Sequence, residues 1–283
     1  MSENPLVRSV NVSGFEIKYL FYEGEGPDLV LLHATGFLPW LWHPIARRLA
    51  GKYRIIAPYF CDHRVEDPRK GGVSWALLAE DMIGFLRALR LRDPFLAGHS
   101  MGGTVLTLVE ALFGPLARKM ILIEPIYLPT EIYRAKITVE EHPLASKSIK
   151  RRNRWKNTGE AETYLRSKGL FRNWDQEMLD LYVKYGMKEG EGGGLELVCH
   201  PDREAALFVG SVARDPWPLL PKLTCPVLFL EGEESPNRGF IDLGKAAAMM
   251  PRAERRIIPG SGHLVPMEKP AVIAEIIEEF FKS

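Results

Sequence analysis

Short, nearly continuous apolar runs alternate along this chain with longer stretches in which apolar residues recur every three or four positions. The runs fall at 28–33, 53–58, 94–97, 119–124, 226–231 and 254–259. Each has the length of a strand covered on both faces, as the central strands of a parallel sheet are. Helical periodicity fills 39–50, 75–89, 104–113, 240–249 and 270–281. Ahead of them, 7–12 and 15–21 alternate apolar and polar residues around Ser13-Gly14, which predicts a leading antiparallel hairpin. Steady alternation of strand and helix implies an α/β fold, a mostly parallel doubly wound sheet flanked by helices. Right-handed crossovers then bring the strand C-termini to one edge, where a site is expected.

The rhythm breaks after the sixth strand. Between Pro125 and Leu223 helical pieces are expected at 143–155, 159–168, 175–185 and 201–213, with no clear buried strand. The pattern predicts a core domain of 1–126 and 224–283 and a helical cap, or lid, of 127–223. Glycine-rich 189–194 reads as an exposed turn of that cap.

The candidate chemistry sits where the 94–97 run meets the following helix, at Gly98-His99-Ser100-Met101-Gly102-Gly103. In a G-x-S-x-G turn between strand and helix the serine is held in a strained conformation. The flanking glycines let neighbouring backbone approach where a side chain would collide. The turn presents the Ser100 hydroxyl together with the Met101 amide and the helix N-terminus, donors suited to a developing oxyanion. His263 follows the last strand in Gly260-Ser261-Gly262-His263, before the closing helix, and can reach back over the sheet edge. A serine hydroxyl needs a general base near neutral pH, and His263 is the candidate.

On Gly98-His99-Ser100-Met101-Gly102-Gly103 with Gly262-His263, the chain resembles the α/β-hydrolases over about two-thirds of its length, the insertion excepted. The serine sets it apart from the haloalkane dehalogenase and epoxide hydrolase branches, which carry aspartate there. The resemblance implies an acid three residues after Gly232, but that position is Ser235. Two replacements are open, Glu234 and Glu124. Glu124 is preferred because a glutamate ending a buried strand needs a partner to offset desolvation, whereas Glu231, Glu233 and Glu234 read as a solvated cluster. Some relatives place the acid after strand 6, and a subset with His-Ala-x-Gly-Phe and Glu-Pro-Ile, as here, includes broadly described hydrolases, some linked to peroxisomes or fungal toxin pathways. By position, the loop His33-Ala34-Thr35-Gly36-Phe37 supplies the other oxyanion donor from the Thr35 amide, with Ala34 replacing the usual glycine. His33 is expected to bond the loop backbone.

The substrate pocket is assigned to Phe37, Trp40, Tyr127 and Leu264. Asp62-His63-Arg64, which lacks the glycines of the related loop, reads as structural. The basic run Lys147, Lys150, Arg151, Arg152, Arg154 and Lys156 is expected to be a solvated helix face, with an anion clamp on the substrate as the other reading.

Composition narrows the field further. A formal net charge of +1 gives no field to recruit nucleic acid or an anionic membrane. No run reaches membrane-spanning length, and the N-terminus lacks a secretory pattern. Cys61, Cys199 and Cys225 match no metal or redox spacing, so reduced thiols in the cytoplasm, no metal and no cofactor are expected. The expected activity is a serine hydrolase cleaving a small or medium apolar ester or thioester through an acyl-enzyme. The alternatives are hydrolysis of a carbon–carbon bond in a diketone-like ring-cleavage product and a non-catalytic ligand receptor on the same fold. Oligomeric state is not legible.

Overall fold

The computed structural model describes residues 4–60 and 62–282; Cys61 and the N-terminal residues 1–3, on which two sequence expectations rest, lie outside that range. In chain order the strands are β1 (Leu6–Val12), β2 (Phe15–Tyr22), β3 (Asp28–Leu32), β4 (Arg54–Pro58), β5 (Phe95–His99), β6 (Lys119–Ile123), β7 (Met187–Glu189), β8 (Leu195–Leu197), β9 (Val227–Gly232) and β10 (Ala253–Ile258). The helices are α1 (His43–Leu49), α2 (Trp75–Ala88), α3 (Met101–Phe113), α4 (Ala145–Ser148), α5 (Thr158–Arg166), α6 (Gln176–Tyr185), α7 (Pro201–Val209), α8 (Leu243–Ala248), α9 (Val265–Glu268) and α10 (Pro270–Lys282).

Eight strands form one sheet in the order β1-β2-β4-β3-β5-β6-β9-β10. Only β1–β2 and β2–β4 pair antiparallel; the remaining pairs are parallel. The β1–β2 hairpin turns at Ser13 (φ 51°) and Gly14 (φ 88°), a left-handed pair that matches the twist of the strands it joins. After β3 the chain adds β4 on one side and β5 on the other, so loops diverge above β3 and β5 and open a crevice at their C-terminal ends.

Period-two alternation sorts the central strands into two cores. Val30, Leu32, Leu96, Met120, Leu122 and Phe229 pack under α2 and α3. Leu29, Leu31, Ala97, Ile121, Ile123 and Leu230 face α1 and α10.

The segment between β6 and β9 differs from expectation in two places. The basic stretch after His142 forms only the four-residue α4 before running irregularly to Trp155. The glycine-rich turn closes a two-stranded hairpin, β7–β8, with Gly192, Gly193 and Gly194 all at positive φ. Three-residue strands are too short to show an alternation in sequence. The segment is fastened to the sheet domain by backbone bonds, Val73 N–H to Ala206 O (2.9 Å) and Asp175 N–H to Met267 O (2.9 Å), and by the bidentate Arg47–Glu177 pair at 2.6 Å.

Candidate active site

Ser100 joins β5 to α3 at φ 55° and ψ −118°, a conformation costly for a non-glycine residue, by about 1–3 kcal/mol. Its surroundings hold it there. A Cβ on Gly98 would lie 2.6 Å from the Gly102 carbonyl carbon, and one on Gly102 would lie 2.4 Å from the Leu32 carbonyl oxygen. Both glycines are therefore demanded by close backbone approach. The Ser100 N–H donates to Ile123 O at 2.8 Å, tying the turn to the neighbouring strand.

His263 lies five residues beyond β10, on a loop pinned at several points. The Gly262 N–H donates to Glu268 Oε2 (2.7 Å), and the Ser261 hydroxyl donates to Ile258 O (2.9 Å). Beneath it, His99 Nε2–H donates to the His263 carbonyl at 2.9 Å. Burial, and then the neighbouring His263 imidazole, push the His99 pKa down to about 3, so this ring stays neutral and works as a fixed donor. The result is that His263 Nε2 stands 3.1 Å from Ser100 Oγ.

On the other side of the ring, Nδ1 is 3.0 Å from Glu124 Oε2. Glu124 is the residue after β6, buried to 2% exposure and itself at φ 49°. Its carboxylate is held from several sides: Oε1 accepts the Gly232 N–H at 2.7 Å, and Oε2 accepts the Ser235 hydroxyl at 2.7 Å. Ser235, at the position where the family pattern expects the acid, thus donates to the carboxylate that stands beside the histidine. The Asn237 side chain also reaches this point, with Nδ2 2.9 Å from His263 Nδ1 and donating to Glu124 Oε2 at 3.5 Å. Glu234 is exposed, and its backbone N–H bonds Ser261 O.

The loop after β3 lies against the first turn of α3, as the Gly102 contacts with Leu32 and His33 require. His33 is buried and neutral: Nδ1–H donates to Ala34 O (2.9 Å), and Nε2 accepts the Phe60 N–H (3.1 Å). Burial lowers its pKa, the largest influence on it. Thr35 is buried at 7%, and Gly36 takes φ 76°. Met101 opens α3, so its N–H has no acceptor within the helix. A Cβ on Gly36 would sit 2.3 Å from Glu204 Oε1, which places α7 directly over this loop.

Several sequence readings need revision. Tyr127 has no exposed surface; its hydroxyl bonds Thr107 Oγ1 at 2.6 Å and its ring meets Trp217 and Phe229, so the side chain is packed in the core. Glu231 is buried at 3%, not solvated, and pairs with Arg255 at 3.1 Å. Burial raises its pKa in spite of that partner. In the basic run, Arg151 is committed to Glu204 Oε2 at 2.7 Å, an oxygen that also accepts the Ser148 hydroxyl, and is no part of a solvated face. Arg152 binds Glu160 at 2.5 Å, while Lys147, Lys150, Arg154 and Lys156 are exposed.

Of the remaining pocket candidates, Phe37 is half-buried against Trp174 and Tyr182, Trp40 stacks on Tyr185 at 3.7 Å, and Leu264 is buried beside His263. His63 and Arg64 both bind Asp81 of α2, a structural anchor for their loop. Cys199 and Cys225 are free and buried. Among the described residues no cluster of three or more His, Cys, Asp or Glu could hold a metal ion. No helix among them is long and apolar enough to cross a membrane.

A strained serine between strand and helix, a late histidine and a strand-end glutamate, all at the C-terminal edge of this sheet, set the chain beside known proteins. The profile described as alpha/beta hydrolase family matches residues 29–276. The chain belongs to the alpha/beta hydrolase family. It is 24% identical over 259 residues to 2-(acetamidomethylene)succinate hydrolase of Mesorhizobium japonicum, covering 91% of this chain and 89% of that protein. Among solved structures, an E-2-(acetamidomethylene)succinate hydrolase superposes with a TM-score of 0.82 at 22% identity, covering 99% of this chain and 100% of the other. A thioesterase domain from the curacin biosynthetic pathway gives 0.76 at 18% identity, covering 97% and 99%. At these identities the structures establish the shared fold. Ser235, Asn237 and His99 are the site features that sequence reasoning assigned no role, and only the departure from the family pattern at Ser235 hinted at one.

Proposed function

We propose that this alpha/beta hydrolase is a serine hydrolase that cleaves a small or medium apolar ester or thioester through an acyl-enzyme. One observation carries the reading: an unbroken path from Ser100 Oγ through the His263 ring, 3.1 Å on one side and 3.0 Å on the other, to the buried Glu124 carboxylate. Ser100 Oγ attacks the carbonyl carbon while His263 Nε2 takes its proton. The Met101 and Thr35 amides receive the oxyanion. Glu124 accepts the Nδ1–H, fixes the tautomer and stabilises the imidazolium. The imidazolium then protonates the departing alcohol or thiol, and a water activated by the same ring releases the acid.

The segment 127–223 serves as the cap in this reading, seated over the oxyanion loop through Glu204 at Gly36. Phe37, Trp40 and Leu264 line the approach to Ser100. The free cysteines Cys199 and Cys225 suit a reducing, cytoplasmic setting.

Carbon–carbon hydrolysis with a basic cap residue gripping a substrate carboxylate has less support, since Arg151 and Arg152 are already engaged by Glu204 and Glu160. The likeness to a succinate-derivative hydrolase nevertheless makes carboxylate-bearing substrates a necessary arm of the test. Turnover of p-nitrophenyl esters and acyl thioesters of increasing chain length, run beside a ring-cleavage diketone and a dicarboxylate amide, decides among them. Preference for a neutral acyl chain supports the reading. Turnover confined to the carboxylate-bearing compounds overturns it.

A further inference from the structure

We propose that Asn237 is a positioning residue of this same site: its side-chain carbonyl is a second acceptor for the Nδ1–H of His263, shared with Glu124. Three groups converge on one point: Asn237 Nδ2 stands 2.9 Å from His263 Nδ1 and donates to Glu124 Oε2 at 3.5 Å, and that carboxylate oxygen is 3.0 Å from the same ring nitrogen. Nδ1 carries one hydrogen or none, which leaves two arrangements. With Nδ1 bare, its lone pair faces a carboxylate oxygen at 3.0 Å, acceptor against acceptor, and the ring hydrogen sits on Nε2 pointing at Ser100, where it blocks proton abstraction. With Nδ1 protonated, the carboxylate is satisfied and Nε2 is free to act as base. A full charge outweighs an amide dipole, so the protonated nitrogen prevails. An amide facing an N–H at hydrogen-bond distance must then present its oxygen, because an –NH2 there would set donor against donor. The side chain therefore turns over, exchanging Nδ2 for the carbonyl oxygen at this point: the carbonyl shares the hydrogen, and the long 3.5 Å contact of Nδ2 with Glu124 is given up.

The local sequence builds this arrangement. The Ser235 hydroxyl accepts the Asn237 backbone N–H at 3.3 Å and donates to Glu124 at 2.7 Å, so one side chain orients both the loop and the acid. Pro236 fixes the first position of the turn that carries Asn237. A neutral amide suits the task. It adds an acceptor for the imidazolium without a second negative charge beside Glu124, which would keep the ring protonated to higher pH and withhold the base.

The proposal rests on the reading of Ser100, His263 and Glu124 as catalytic, and its test separates the two. Wild type, Asn237→Ala and Asn237→Asp are compared on the ester that wild type turns over best, by kcat, KM, the pH profile of kcat/KM and thermal midpoint. Asn237→Ala should lower kcat by about 3- to 30-fold with KM within about twofold, and should move the acid limb to lower pH, because an imidazolium with one acceptor fewer loses its proton more readily. Asn237→Asp keeps the shape, adds charge and should move the acid limb to higher pH by about one unit. An acid limb unmoved in both variants overturns the proposal. So does Asn237→Ala faster than wild type, which would mean that the amide donates to a bare Nδ1 and holds the unproductive tautomer. If Asn237→Ala loses thermal midpoint, the isosteric Asn237→Asp decides alone. Ser100→Ala, run in parallel, reports on the catalytic reading: wild-type turnover there refutes that reading, whereas lost turnover with unmoved Asn237 profiles refutes only the role of Asn237.

Discussion

Glu124→Gln separates a catalytic acid from a structural glutamate, because the structure dictates what an amide can do in that position. Both carboxylate oxygens are acceptors: Oε1 for the Gly232 N–H at 2.7 Å, and Oε2 for the Ser235 hydroxyl at 2.7 Å and for His263 Nδ1 at 3.0 Å. Glutamine must place its –NH2 at one of the two. Against Gly232 it would oppose a buried backbone donor that cannot rotate, at a cost of about 1–3 kcal/mol. Against Ser235 and His263 the hydroxyl can turn and the imidazole can move its hydrogen to Nε2, so the amide settles there. The ring hydrogen then points at Ser100 and the base is lost. Turnover should fall about 1,000- to 10,000-fold, as when the orienting acid of such a triad is neutralised, or about 4 to 5.5 kcal/mol of transition-state stabilisation. The thermal midpoint should drop by only about 2–4 °C, the cost of roughly one hydrogen bond in a chain of this size. Glu234→Gln, altering an exposed side chain, should change turnover less than about tenfold. Ester hydrolysis and melting curves on both variants test this. Glu124→Gln within tenfold of wild type, or Glu234→Gln as the crippled variant, refutes the assignment of the acid.

Arg151→Ala leaves Glu204 buried without its guanidinium and should destabilise by about 3 kcal/mol, whereas Arg152→Ala breaks an exposed pair and should leave stability nearly unchanged; thermal or urea unfolding compares them. Gly102→Ala would drive a Cβ to 2.4 Å from the Leu32 carbonyl and should abolish soluble expression or activity, read by yield and turnover. His99 and His33 both have folded pKa values below the ordinary histidine value, His99 near 3, so the unfolded chain binds protons that the folded one refuses. The stability of the neutral rings is fully present above about pH 6.5 and is lost as pH falls below it, for His99 down to about 3, at up to about 1.4 kcal/mol per pH unit for each group. Melting curves at pH 7.5 and 5 should show the fall, and His99→Gln, which keeps a donor but cannot titrate, should flatten it.

Much of this was legible because the central strands are covered on both faces and the turn at Ser100 needs its glycines. Continuous runs such as that ending in Leu32 have no other home than a buried sheet, and Gly98, Ser100 and Gly102 encode the backbone geometry of the turn between β5 and α3. Glu124 could be singled out because a carboxylate ending a buried run must meet a partner. The rest depended on contacts between distant segments. Nothing local distinguishes Arg151 from Lys150, yet Glu204, fifty-three residues on, buries one of them. Glu231 resembled its solvated neighbours until Arg255 of the adjacent strand was placed beside it. Tyr127 follows the acid closely enough to suggest a pocket residue, but the chain turns it under α3 towards Thr107. Asn237 lies within Pro236-Asn237-Arg238-Gly239, residue types common in any turn, and nothing local points from them to His263, twenty-six residues on.

The central claim is that Ser100 is the nucleophile of a covalent hydrolase, and the most direct measurement is intact-mass and peptide-level detection of a fluorophosphonate adduct on wild type and Ser100→Ala, with ester turnover followed on the same samples. Ser100→Ala should fold normally, since alanine fits the backbone that the glycines set, take no adduct and lose turnover; wild type should carry one adduct, on Ser100, and lose activity in proportion to labelling. An unlabelled wild type that still hydrolyses esters, or a Ser100→Ala variant with near wild-type turnover, would contradict it.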